Sequence, residues 1–237
     1  MIKFPTVEEM LHAGMHFGHR TSKWHPKMAP FIFTSRNGVH VIDLSKTRKQ
    51  LKIALDFIEK SVAEGKTILL VGTKTQVKEH IKRIAEEVGV PYVNEGWLGG
   101  ALTNFTIIKK AISKYVTLRA EKEAGKLDKY TKKERLEIDR EIARLEKKVG
   151  GLANLTKTPD LIFIWDIKEE ETALTEAKKR NIPVVAICDT NVNPQNVDYV
   201  IPANDDATKT IKLILNMVAE TIKSGKEKAK APTQAAK

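Results

Sequence analysis

Acidic side chains stand just past apolar runs at three places in the C-terminal half of the chain: Asp166 after LIFIW, Asp189 after VVAIC, and the pair Asp205-Asp206 after YVIPAN. Runs of this kind read as buried strands of a parallel sheet, whose carboxyl ends share one edge, the edge where open α/β sheets bind ligands. Carboxylates gathered there repel one another unless a cation or a basic side chain lies between them. Five of the six histidines, His12, His16, His19, His25 and His40, lie within the first 40 residues. A site of Asp189, Asp205, Asp206 and His19 could therefore hold one structural divalent cation and pin the N-terminal segment to the sheet. Against it stands a plainer reading, in which these aspartates are N-caps and loop residues. A catalytic version would be a metal-dependent phosphoesterase using Asp166, Asp189, Asp205 and Asp206. No zinc-protease motif, nucleophile elbow or reactive cysteine context accompanies them.

Two glycine-containing loops invite comparison with phosphate sites and fail it. Gly72-Thr73-Lys74-Thr75 follows a strand but lacks the spaced glycines that let several amides converge on phosphate. It reads as the turn of a βα connection. Gly96, Gly99 and Gly100 also miss the dinucleotide spacing. Their expected role is close packing around Trp97, at the base of the charged segment 105–150.

The N-terminal stretch RTSKWHPKMAPFIFTSRNG interleaves Arg20, Lys23, Lys27 and Arg36 with Trp24, His25 and Phe31. Cations meet phosphates and flat rings stack on unpaired bases, which makes this a candidate RNA contact. Burial of Trp24 and Phe31 in a small local core is the competing reading. Pro26 and Pro30 bar regular helix here, and Asn37-Gly38 between two β-rich runs signals a hairpin.

Residues 105–150 form the most charged part of the chain, with 14 Lys+Arg against 8 Asp+Glu. Thr131 followed by Glu134 is a capping box. Ile138, Ile142, Leu145 and Val149 step by four, three and four along one helix face, and Ile108, Ile112, Tyr115 and Leu118 keep a similar rhythm. This predicts an antiparallel helical hairpin with arms of roughly 25–30 Å. Its narrow seam leaves most of its surface facing something other than a core. A solvated arm with charges paired at i,i+4 is one reading; the positive excess favours a polyanion.

Around this hairpin, short apolar strands alternate with helices of 10–15 residues, which predicts an α/β fold with a three-layer parallel sheet. Expected boundaries are a core of residues 1–104 and 151–224, the hairpin at 105–150, and a disordered Lys/Ala-rich tail at 225–237. Expected helices include one from about Lys46, capped by Ser45, one over 75–88, and a closing one over Ala207–Lys223. Thr103 or Asn104 is the expected cap of the first hairpin arm. The whole chain of 237 residues carries +11, yet residues 51–104 balance and residues 151–222 carry 7 basic against 11 acidic groups. The positive charge is thus aimed at peripheral pieces. No run approaches the ~18 apolar residues of a membrane span, and MIKFPTVEEML has neither a secretory h-region nor a transit-peptide composition. The lone Cys188 excludes a disulfide framework, fits a reducing cytoplasm and reads as a buried, inert thiol.

Several long motifs are idiosyncratic: HAGMHFGHRTSKWHPKMAPFIFTSRNGVHVIDLSKT, GWLGGALTNF, EKKVGGL, PDLIFIWD, IPVVAICDTN and VDYVIPANDDA. In order, from about residue 6 to 223, they resemble the bacterial small-subunit ribosomal protein family numbered two. The resemblance implies a flavodoxin-like sheet with a protruding coiled-coil hairpin, and a non-enzymatic, ribosome-bound structural role in the cytoplasm that requires no cofactor. It implies binding to small-subunit ribosomal RNA between head and body, and help in holding the large protein numbered one, which recruits messenger RNA. With it, Lys109, Lys110, Lys114, Lys132, Lys133 and Arg135 of the hairpin join the N-terminal cations as expected backbone contacts. A coiled-coil adaptor that binds only protein is the remaining rival.

Overall fold

Five strands buried in the middle of the chain's fold set the architecture, in a computed structural model that describes residues 4–230. They are β4 (Ile68–Val71), β5 (Tyr92–Val93), β6 (Leu161–Ile164), β7 (Val184–Cys188) and β8 (Tyr199–Pro202). All pair in parallel, in the order β5-β4-β6-β7-β8. Every residue of β4, β6 and β7 is buried, which is why their sequences are continuous apolar runs without alternation.

Alternate strand residues feed two hydrophobic clusters. Leu70, Phe163 and Ile187 meet α2 (Leu44–Ala63), α3 (Lys78–Val88) and α7 (Thr208–Lys230), through Leu51, Ile81 and Ile214 among others. Leu69, Ile164 and Ala186 meet α6 (Glu171–Lys179) and the inner ends of α4 (Phe105–Glu123) and α5 (Lys132–Val149). A three-stranded antiparallel sheet lies apart from these, with β1 (Phe17–Arg20), β2 (Ile32–Arg36) and β3 (Val39–Ile42) in the order β1-β3-β2. Asn37 and Gly38 both take positive φ, 52° and 74°, in the turn that joins β2 to β3, the backbone that a two-residue hairpin demands. Helix α1 (Val7–His12) is held by a capping box of Thr6 and Glu9.

Four local expectations are revised. Helix α2 begins at Leu44 and is capped by Asp43, whose carboxylate accepts from the amides of Ser45 and Lys46, so Ser45 lies inside the helix. Helix α3 begins at Lys78, three residues later than its periodicity suggests. Asn104 is the N-cap residue of α4, but neither its side chain nor that of Thr103 caps the helix. Helix α7 runs on to Lys230, through the first part of the expected tail. Gly225 makes this possible, since a Cβ there would lie 2.8 Å from Cβ of Val62 on α2. Lys226 then donates to the carbonyls of Val88 and Gly89, and Lys228 pairs with Glu59 at 2.8 Å. The rest of that tail, residues 231–237, lies outside the described residues.

Candidate functional site

The carboxyl ends of β6, β7 and β8 do bring the acidic groups to one edge, and the charge between them comes from the chain itself. Lys74, from the turn after β4, places its ammonium 2.6 Å from Asp206, 2.9 Å from Asp205 and 3.3 Å from Asp166. Burial alone would lower the Lys74 pKa, but Asp206, Asp205 and Asp166 together raise it above its ordinary value. Burial, and then the charges of Asp166 and Asp189, push the Asp205 carboxyl up to about 7 against the pull of Lys74. Both shifts have one origin, an excess of negative charge over positive in a poorly solvated place. The same turn is fixed by Glu170, buried behind it, which accepts from the Thr73 amide at 2.9 Å. The turn residues that fail as a phosphate loop thus serve as the internal counter-ion.

Asp189 is engaged differently. One carboxylate oxygen faces Nδ1 of His19 at 3.2 Å, and the other accepts from the amide and hydroxyl of Thr190. The bond to Asp189 raises the His19 pKa in spite of burial. Asp189, Asp205, Asp206 and His19 are therefore near one another, but among the described residues no group of three or more His, Cys, Asp or Glu side chains is arranged to hold a metal. The set expected to bind a cation is divided between Lys74 and His19. The N-terminal segment is tied to the edge by hydrogen bonds: His19 N to Thr190 Oγ1 at 2.8 Å, His25 N to the Thr190 carbonyl at 2.7 Å, and Asn204 Nδ2 to the Gly14 carbonyl at 3.1 Å. Gly18 is needed for this approach, since a Cβ there would lie 2.6 Å from Thr190 Cγ2. Part of the edge at which open α/β sheets receive ligands is thus occupied by the protein's own N-terminal segment, while Asp206 stays exposed.

On the other side of that segment the cations are exposed. Arg20 and Arg36 flank Val39 from the two neighbouring strands, so the small sheet gathers them at one end. Lys23 and Lys27 follow on the adjoining 3-10 turns, and among the described residues none of these four enters an ion pair. Trp24 is 38% exposed and lies over His40 at 5.1 Å. His25 is half-buried, its Nδ1 accepting from the Lys27 amide. Phe31 is half-buried, while Phe33 is 73% exposed. The fully buried residue of this stretch is Met28.

In the hairpin, Ile108, Ile112 and Tyr115 of α4 and Ile142, Leu145 and Val149 of α5 are buried together, with Leu118 and Ile138 partly so. Lys114 pairs with Glu141 at 2.9 Å and Lys122 with Asp139 at 2.7 Å, both across the two helices. Arg144 and Lys114 hold the Glu141 carboxyl down to about 2. Arg135 pairs with Asp128 at 2.9 Å. Lys109 and Lys110 near the root, and Lys132 and Lys133 near the tip, are exposed and without an ion pair among the described residues. Helix length puts the two pairs roughly 20 Å apart.

The glycine-rich loop is also reassigned. A Cβ at Gly96 or Gly99 would meet nothing, so neither glycine is there for packing, while Gly100 has φ +88°. The loop is held by Glu176 of α6, donors from Trp97, Gly100, Leu102 and Thr103 all converging on its carboxylate. The spacing of Glu176 with Ala173 and Ala177 on one face of α6 is the sequence signal that could have found it.

A family model described as "Ribosomal protein S2" matches residues 10–225. The chain is 49% identical over 222 residues to the "Small ribosomal subunit protein uS2" of Coprothermobacter proteolyticus, covering 94% of this chain and 83% of the relative. It is 46% identical over 220 residues to the protein of that name from Geotalea uraniireducens, covering 93% and 86%.

Proposed function

The chain belongs to the ribosomal protein S2 family, and from that premise we propose that it clamps small-subunit ribosomal RNA by phosphate neutralisation and shape. Its role is structural, within the small ribosomal subunit, and not enzymatic. The observation that carries the proposal is the placement of unpaired, exposed cations on two outer pieces, around a core whose edge aspartates are already engaged by Lys74 and His19. Arg20, Lys23, Lys27 and Arg36 would meet one RNA element, with Trp24 and His25 beside them for stacking on an unpaired base. Lys109, Lys110, Lys132 and Lys133 would lie along another, and Lys114 and Arg135 would contribute less because Glu141 and Asp128 already neutralise them.

The strand order supports a flavodoxin-like reading of the sheet, since in chain order it is second, first, third, fourth, fifth. The a/d seam and the cross-helix ion pairs support reading residues 105–150 as a protruding coiled-coil unit, apart from a core of 1–104 and 151–224. The acidic balance of residues 151–222 favours a protein partner on that face, because RNA would be repelled there. The large protein numbered one, which recruits messenger RNA, is the partner we propose for it.

Filter binding to small-subunit ribosomal RNA across a salt series tests the clamp. If six to ten phosphates are neutralised, affinity falls by about 10³–10⁵ between 50 and 200 mM salt. A flat response would overturn the mechanism.

A further inference from the structure

Glu176 lies near the middle of α6, on the same side as Ala173 and Ala177, and is 6% exposed. Its carboxylate faces the loop between β5 and α4. Oε1 accepts from Nε1 of Trp97 at 3.1 Å and from the Gly100 amide at 2.7 Å. Oε2 accepts from the Leu102 amide at 3.0 Å, and from the Thr103 amide and hydroxyl, both at 3.1 Å. Three backbone N–H groups converging on one carboxylate resemble an anion nest of the kind that elsewhere receives phosphate. Here the anion is a side chain of the same protein. Burial pushes this carboxyl up, but the amides of Leu102, Gly100 and Thr103 and the Trp97 indole outweigh it and leave the pKa below its ordinary value.

Ala101 and Leu102 of this loop are buried in the second hydrophobic cluster, with Trp97 and Leu98 packed against it, and Glu176 is the side chain on which its polar groups converge. The loop contains no strand or helix between Val93 and Phe105, and α4 begins without a side-chain cap. The hairpin's other root is a close contact without a side chain, because a Cβ on Gly151 would lie 2.3 Å from the Tyr92 carbonyl oxygen. One root is thus a close backbone contact, and at the other the polar groups of the loop converge on a single carboxylate.

We propose that Glu176 is a latch that sets the angle of the helical hairpin to the sheet, and so holds the hairpin cations in register with those of the N-terminal segment. The second half of this statement rests on reading the hairpin as an RNA-binding arm; the first half does not. A rigid arm presents its cations without the ordering penalty that a swinging one meets on binding.

The test is Glu176→Gln in the full chain. Gln keeps the volume but turns one acceptor into a donor, facing N–H groups that can only donate. Spin labels at Glu79→Cys on α3 and Lys126→Cys at the hairpin tip report the angle as a distance distribution, and native Cys188, fully buried, escapes labelling. The distribution should be narrow with Glu176 and broad with Gln, and affinity for small-subunit ribosomal RNA should weaken about tenfold at unchanged salt slope. An unchanged distribution in a folded variant would overturn the latch, whatever happens to the melting temperature. Should the Gln variant fail to fold, Thr103→Val and Trp97→Phe each remove one donor, and no broadening in either would overturn it equally. Broadening with unchanged RNA affinity would keep the latch and refute the RNA-arm reading on which its consequence rests.

Discussion

Replacing Lys74 with Met removes the one ammonium among Asp166, Asp205 and Asp206 while keeping an unbranched stem. The Lys74 side chain is 17% exposed, and those of Asp166 and Asp205 are 7% and 2% exposed. Breaking a buried ion pair by deleting one partner costs about 3–5 kcal/mol, because the remaining charge is left unpaired. In a chain of this length that corresponds to a fall in melting temperature of about 6–20 °C. The pH dependence follows from Asp205, whose folded pKa of about 7 lies above its ordinary carboxylate value. A raised folded pKa means that the folded state holds the proton more tightly, so this contribution is complete below the ordinary value and is lost as pH rises through about 7. Without Lys74 the pKa of Asp205 rises further, and each unit of displacement is worth about 1.4 kcal/mol. Urea unfolding at pH 5 and pH 8 should therefore show the larger deficit at pH 8, above the Asp205 pKa of about 7, where only the protein with Lys74 has a counter-ion for the ionised carboxylate. An equal deficit at both pH values, or none, would refute the account of Lys74 as internal counter-ion.

Three further outcomes are expected. Changing Lys109, Lys110, Lys132 and Lys133 together to Ala should flatten the slope of log affinity against log salt by about 0.9 for each phosphate no longer neutralised; Lys114→Ala with Arg135→Ala should flatten it less. Gly151→Ala should lower stability by about 1–3 kcal/mol in urea unfolding through overpacking against Tyr92, while Gly96→Ala, which meets nothing, should not. Thr131→Ala breaks the capping box of α5 and should cost about 1 kcal/mol, visible as faster amide exchange in the first turn of that helix.

The strands most legible in the sequence are those buried on both faces. LIFI and VVAIC can hardly be anything else in an alternating α/β chain. Strand β1 is not legible, because FGHR has no apolar alternation and its partner β3 lies about twenty residues later, so only the folded pairing defines it. The acidic edge is legible as a cluster, since each aspartate follows its own strand. Its counter-ion Lys74 is not, because that role depends on β4 lying next to β6, a long-range fact that no local pattern contains. Glu176 shares the inward half of a short helix with Ala173 and Ala177, which is a readable warning of a buried charge. The length of α7 escapes a compositional reading because its lysines suggest solvent, while Gly225 and the aliphatic contacts of α2 keep the chain helical. In the N-terminal segment, the prolines and the Asn-Gly turn read directly, but the choice of Met28 as the buried side chain is set by packing.

The two sets of charges divide along structural lines, which bears on the choice between a solvated arm and a polyanion-binding arm. Five of the hairpin's 14 basic residues, Lys114, Arg119, Lys122, Arg135 and Arg144, are in ion pairs, two of them bridging the helices. Exposed pairs of this kind contribute little each, and the apolar seam already holds the helices together. If pairing were the purpose of the charge, acidic groups would match basic ones, and they do not. Unpaired cations are left at root and tip, and these two groups are farther apart than the Debye length of ≈ 10 Å at 0.1 M salt, so the root and tip groups repel each other little. A partner with closely spaced negative charges along its length can engage both ends at once. The opposite choice is made at the sheet edge, where Lys74 and His19 lie among the acidic groups as internal partners and the N-terminal segment packs against Thr190 and Asn204. A cation site open to solvent there would draw ions toward the core, whereas this arrangement leaves the outer cations as the surface proposed to meet RNA.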